Sequence, residues 1–265
     1  MGGARMTVGA AMTVTGGPVA RDYDIVLAHE HLFIDIRCWL DESDPETRHL
    51  RDRPVDATTL GDVQRNPFAC LDNLVLASAP LIVGDLRRLA DCGRALLIDV
   101  TPANVGRDLP ALAGIARAAA VDIVCGCGRY IAESRPDDDP DLGAESYRDE
   151  ILGELEAPGP RPAVIGEIGT GDPIHPIEAA ALRGAAMAQA QTGLLLYVHL
   201  HPWGRRGHEA LDLVEAAGGD LSRTVLCHLD PQIPEGLDYH RELLARGATI
   251  AFDLWGDEYR YGAVA

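Results

Sequence analysis

Seven short apolar runs separated by amphipathic stretches constrain this chain more than any other feature of its sequence. The runs cover residues 25–31, 95–101, 121–126, 163–168, 194–201, 224–229 and 248–254. Six of them are near-continuous rather than alternating, the pattern of strands in a parallel sheet covered on both faces. The stretches between them, 71–91, 108–120, 145–155, 176–191, 207–217 and 235–245, carry helical periodicity. Gly93, Gly193, Gly218 and Gly247 each follow a periodic segment as a stop signal, and Asp108 is placed to cap its helix. Alternating strand and helix predicts an α/β fold with a parallel sheet. No G-x-G-x-x-G follows the first run, and a Walker motif needs a lysine that the chain does not contain. What remains is a TIM-type (β/α)8 barrel, with its active site where the strands end.

At 265 residues the chain suits one domain, 1–265. Within it, 1–12 reads as a disordered extension. Residues 38–67, charged, proline-containing and without periodicity, read as a loop excursion after the first strand that serves as lid or rim. The 41 acidic residues outnumber the 23 basic ones, all of them arginine, giving a net charge of −18. That balance argues against nucleic acid or an anionic membrane surface and leaves a small molecule as the expected partner. No apolar run approaches the ~18 residues of a membrane span, and the N-terminus lacks the apolar core of a secretory signal. Cys38, Cys70, Cys92, Cys125, Cys127 and Cys227 read as reduced, buried thiols of a cytoplasmic protein.

Polar residues at the ends of the runs carry the chemistry. The first run ends His29-Glu30-His31, and positions i and i+2 of a strand share a side, so both imidazoles face the barrel while Glu30 turns away. This H-x-H suits a metal ion, and equally two hydrogen-bonded core or rim histidines. Glu167 is the lone acid of the fourth run, and a buried carboxylate needs a cation, a metal or a raised pKa. His199 and His228 close the fifth and sixth runs. Singly each passes as a structural histidine; together, at corresponding positions of successive barrel strands, the five residues predict a metal site.

The segments LAHEHLFID, DVTPANVGRD, VIGEIGT, QTGLLLYVHLH and VLCHLD, spread over residues 13–253, resemble the phosphotriesterase family of the amidohydrolase superfamily. The resemblance implies two divalent ions, commonly zinc, with cobalt, manganese or iron as alternatives. His29 and His31 would bind one ion, His199 and His228 the other, and Glu167 would bridge them. Many members bridge with a carboxylated lysine; without lysines, this chain resembles the glutamate-bridged branch. Tyr130 matches a tyrosine that lactone-hydrolysing relatives place beside the metals, and is otherwise a rim aromatic. Trp203 and Trp255 are candidates for a pocket wall and His201 for a supporting or pocket residue. Arg205 and Arg206 read as a solvated loop, and His49, His175, His208 and His240 as surface residues.

The family pattern also requires a catalytic aspartate at the end of an eighth strand. Only 12 residues follow Asp253, too few for a further βα unit. The expectation is therefore a barrel with seven strands present, the eighth strand and helix missing, and the catalytic aspartate beyond Ala265. Asp253, the nearest acid, is not taken as its replacement. The predicted function is binuclear metal-dependent hydrolysis of an ester-type bond (lactone, carboxylic ester or organophosphate ester), or of an amide, by a possible homodimer. The alternatives are a truncated metal-binding remnant and a single-metal amidohydrolase.

Overall fold

The computed structural model describes residues 11–136 and 138–254. Nine strands occur among them: β1 (Ile25–Glu30), β2 (Ile34–Asp35), β3 (Val75–Leu76), β4 (Ala95–Asp99), β5 (Asp122–Cys125), β6 (Ile165–Gly169), β7 (Leu196–His199), β8 (Thr224–Leu226) and β9 (Thr249–Ile250). The helices are α1 (Leu60–Arg65), α2 (Ala79–Ala90), α3 (Leu109–Ala119), α4 (Ala144–Glu156), α5 (Pro176–Thr192), α6 (Gly207–Ala216) and α7 (Asp238–Ala245). Seven strands pair in parallel, in the orders β1-β4-β5 and β6-β7-β8-β9. Main-chain bonds join the two groups into one curved wall: Ala163 N donates to Cys125 O, Gly166 N to Cys127 O and Gly169 N to Arg129 O. These are seven of the positions of a β/α barrel, as the apolar runs predict. None of the helices described is long and apolar enough to cross a membrane.

Alternation along the strands separates two layers of core. Leu96, Val124, Val164, Tyr197 and Val225 fill the inside of the wall, beneath the histidines. Leu97 and Ile123 pack outward under α2 and α3, and Ile165, Leu196 and Leu226 under α5 and α6. The helix signals act as expected at two ends. Asp108 Oδ1 accepts from Ala111 N at the start of α3, and Gly193 closes α5 at φ +70°. At α2 the structure corrects the sequence reading. Residues 71–78 form a 3-10 turn and β3, and the helix begins only at Ala79. The reason is Pro80, which has no N–H to give the Leu76 carbonyl and cannot sit inside a helix.

The excursion after β1 is also more structured than its composition suggests. It carries α1 and a small core of Leu50, Val63, Ala69 and Cys70, and β2 pairs antiparallel with β3 beyond it. At the N-terminus, residues 1–10 lie outside the described residues, but Ala11 packs on the inner layer and Met12 bridges to Pro18, so neither is loose extension. Strands end earlier than the apolar runs. β1 stops at Glu30, before His31, and β8 stops two residues before His228, whose φ is +63°.

Asp99, at the end of β4 and fully buried, ties down the turn that follows β1. Its Oδ2 accepts from Leu32 N at 2.8 Å and its Oδ1 from Thr101 N at 3.0 Å. Burial pushes its carboxyl up to about 6 despite these bonds. With the folded value above the unfolded one, Asp99 contributes most below pH about 4 and loses that contribution as pH rises through about 6. Denaturant unfolding at pH 4 and pH 7 should show the wild type losing ~3 kcal/mol relative to Asp99→Asn across that interval. Parallel pH profiles for the two proteins would contradict this assignment.

Candidate metal centre

β6 delivers Glu167 to the middle of the wall's upper end. Gly166 has φ +106°, and a Cβ there would lie 2.3 Å from the Tyr197 carbonyl oxygen, so glycine alone allows this approach of β6 to β7. Glu167 is 2% exposed. Its Oε2 lies 3.5 Å from His29 Nε2, 3.5 Å from His199 Nδ1 and 3.4 Å from His228 Nε2. Its Oε1 lies 3.5 Å from His31 Nε2. All five residues singled out at the strand ends therefore meet around one carboxylate.

The separations are long for hydrogen bonds and suit donors that share an ion. Bonds of about 2.0–2.2 Å in a tetrahedral shell put neighbouring donor atoms roughly 3.3–3.6 Å apart. Glu167 Oε2 and His199 Nδ1 are buried and have no hydrogen-bond partner. The donors form two triads that share the carboxylate, His29–His31–Glu167 and Glu167–His199–His228. The residues present fit divalent ions.

Protonation follows from burial and charge. Burial lowers His31 to about 3 and His199 to about 4, leaving both neutral with lone pairs to give. Burial alone would raise Glu167, but the surrounding imidazoles, His199 and His29 foremost, hold it well below the usual carboxylate range. Burial also opposes charge on His228, yet Asp253 and Glu167 raise it to about 10.

Two residues outside the expected ligand set orient the imidazoles. Asp253 Oδ1 accepts from His228 N and lies 2.9 Å from His228 Nδ1, while its Oδ2 is in close contact with His29 Nδ1, also at 2.9 Å. Thr101 Oγ1 bonds His31 Nδ1 at 2.9 Å. With these Nδ1 atoms engaged, the three Nε2 atoms face Glu167. His199 is turned the other way, its Nδ1 toward Glu167 and its Nε2 3.5 Å from Tyr130 Oη. Asp253 was weighed from sequence only as a substitute ligand and Thr101 not at all. The one signal for both was position, each at or next to the last residue of an apolar run.

A cavity of about 200 Å³ opens above the cluster, with His31, Glu167, His199 and His228 at its floor and Tyr130 at its side. Its walls are apolar: Ile34, Ile36, Trp39, Phe68, Pro202 and Trp203. Trp203 thus stands where a pocket residue was expected, whereas Trp255 lies outside the described residues. Trp39 and Phe68 belong to the segment after β1 and were not singled out. His201 stacks behind the wall, 5.5 Å from the Trp39 ring and 5.4 Å from the Trp203 ring. Arg205 and Arg206 pair with Glu235 and Asp172. His49 is exposed, and His208 is half-buried beside Glu242. His175 is exposed but caps α5, accepting from Ile177 N. His240 corrects the surface expectation: it is 2% exposed, because its Nε2 satisfies the Leu229 carbonyl beneath the loop after β8. Cys92 is likewise an exposed thiol rather than a buried one.

A parallel β/α wall whose strand ends converge four imidazoles on one carboxylate defines a barrel hydrolase. The chain belongs to the phosphotriesterase family, whose profile matches residues 10–263. It is 31% identical to a phosphotriesterase-related protein of Nematostella vectensis, over 96% of this chain and 74% of that one. It is 30% identical to an N-acetyltaurine hydrolase of Danio rerio, over 94% of this chain and 73% of the relative. Among solved structures, a resiniferatoxin-binding protein from Rhodobacter sphaeroides matches with a TM-score of 0.86 and 36% identity, covering 93% of this chain and 70% of that one. The chain is accordingly a hydrolase of ester- or amide-type bonds.

Asp253→Asn keeps the shape and removes the charge that engages His29 and His228. Metal retained during dialysis against graded chelator, measured by elemental analysis, should fall on the order of 10–100-fold in apparent affinity. Unchanged retention would show that Asp253 does not set the two rings.

Proposed function

We propose that this chain is a binuclear metal-dependent hydrolase that cleaves an uncharged ester-type bond: a lactone, a carboxylic ester or an organophosphate ester. The observation that carries the reading is the pair of donor triads sharing Glu167. His29, His31 and Glu167 would hold one divalent ion, and Glu167, His199 and His228 the other. Imidazoles with a carboxylate suit zinc, with cobalt, manganese or iron(II) as alternatives, and binding at His228 would displace a proton from its ring. When bound, such ions supply Lewis acidity and an activated water at neutral pH.

The chain's own groups do the rest. Glu167 would bring the negative charge that compensates the ions, and Asp253 and Thr101 lie against the Nδ1 atoms of three rings whose Nε2 atoms face Glu167. Tyr130 lines the cavity, where its hydroxyl would face an oxygen of the substrate. The apolar wall excludes water and seats the carbon part of the substrate.

The same wall separates this chain from the activity named for one relative. N-acetyltaurine carries a sulfonate, and no arginine lines the cavity among the described residues. An anionic group brought there would meet Ile34, Ile36 and three aromatic rings. An uncharged ester fits that surface better. The free thiols suit a reducing compartment, and we place the protein in the cytoplasm.

The test is turnover of δ-valerolactone, phenyl acetate, diethyl 4-nitrophenyl phosphate and N-acetyltaurine by protein reconstituted with each metal. Hydrolysis of at least one uncharged ester should require metal, stop with chelator and exceed that of N-acetyltaurine. Glu167→Gln should reduce it to background together with metal content. Full metal uptake without turnover of any of the four would support the alternative of a metal-binding remnant.

A further inference from the structure

We infer that Trp39 is a positioning residue, its indole N–H fixing the Tyr130 hydroxyl as a hydrogen-bond donor aimed at an oxygen of the bound ester. This rests on the hydrolase reading above. Trp39 ends a 3-10 turn, Arg37–Trp39, in the segment after β1, and Tyr130 follows β5. The two meet across 91 residues of sequence, with Trp39 Nε1 donating to Tyr130 Oη at 3.0 Å.

The direction of the phenol proton follows from counting donors. An indole N–H only donates, so it takes one lone pair of Oη. His199 presents Nδ1 to Glu167 and Nε2 to Oη at 3.5 Å. A neutral imidazole that gives its Nδ1 lone pair to an ion carries its proton on Nε2, which makes His199 a second, longer-range donor to the same oxygen. Oη then has its lone pairs addressed by two N–H groups. With His199 in that tautomer its Nε2 is no acceptor for the phenol proton, and Tyr130 lines the cavity.

A carbonyl or phosphoryl oxygen gains negative charge as the bond is attacked, and a fixed donor facing it lowers the barrier more than it strengthens ground-state binding. Rigidity comes from the ring stack. Trp39 is held against Phe68 at 5.9 Å, Trp203 at 6.3 Å and His201 at 5.5 Å between centroids. The segment after β1 thus completes the site from outside the barrel wall.

A double-mutant cycle on the metal-reconstituted protein tests this, with phenyl acetate and δ-valerolactone as probes. Tyr130→Phe should lower kcat on the order of 100-fold with KM little changed. Trp39→Phe should cause a large part of that loss in the wild type and almost none in the Tyr130→Phe background. Losses that multiply would overturn the proposal and leave Trp39 as wall alone, with the hydrolase reading intact. The bond itself is read without turnover. The chain's three tryptophans give three indole N–H signals in a ¹H–¹⁵N spectrum, and the one absent from Trp39→Phe should shift in Tyr130→Phe. An unmoved signal overturns the proposal, and where Trp39→Phe fails to fold, three unmoved signals in Tyr130→Phe do the same. A shifted signal in a protein that turns over neither probe overturns the donor role together with the hydrolase reading for these esters.

Discussion

A carboxylate that is 2% exposed, inside an otherwise apolar strand, dominates the physics of this molecule. Left uncompensated, its charge would cost several kcal/mol, comparable to the net stability of a whole domain. Three strand ends converge four imidazoles on Glu167, and the glycine before it permits the backbone to bring it there. The second layer follows from the first. Rings that must present a chosen nitrogen to the carboxylate need their other nitrogen engaged, and Asp253 and Thr101 do this for three of the four. Asp253 touches one imidazole of each triad, so its charge bears on both triads at once.

The candidate ligands that were legible in the sequence share one property: they sit on strands or within two residues of a strand end. Apolar runs revealed the strands, a period of two set His29 and His31 on one side, and a lone acid in an apolar run marked Glu167. The absence of lysine removed the other bridging chemistry. Residues that act from loops carried no such signal. Trp39 and Phe68 belong to a segment without periodicity, so nothing marked them as the wall of the cavity. Asp253 follows the last run like any other strand-end acid, and its contact with His29 spans most of the chain. His240 sits on a short amphipathic helix, where neither period nor composition shows that a loop carbonyl folds back onto it.

Helix boundaries failed and succeeded for equally local reasons. Pro80 delayed α2 by eight residues relative to its apolar pattern, while Asp108 and Gly193 acted as cap and stop. The delay places β3 against β2, and that pairing anchors the segment carrying Trp39 and Phe68 beside the metal centre. The match to the phosphotriesterase family spans the strands of the wall. Loops after the strands form the cavity, and that is where its substrate preference is decided.

The central claim is that Glu167 is shared between two ions. Anomalous X-ray diffraction from crystals of the zinc-reconstituted protein, collected above and below the zinc edge, tests it most directly. Two anomalous peaks flanking Glu167 are predicted, one beside His29 and His31 and the other beside His199 and His228. A single peak, or peaks that do not touch the Glu167 carboxylate, would contradict it.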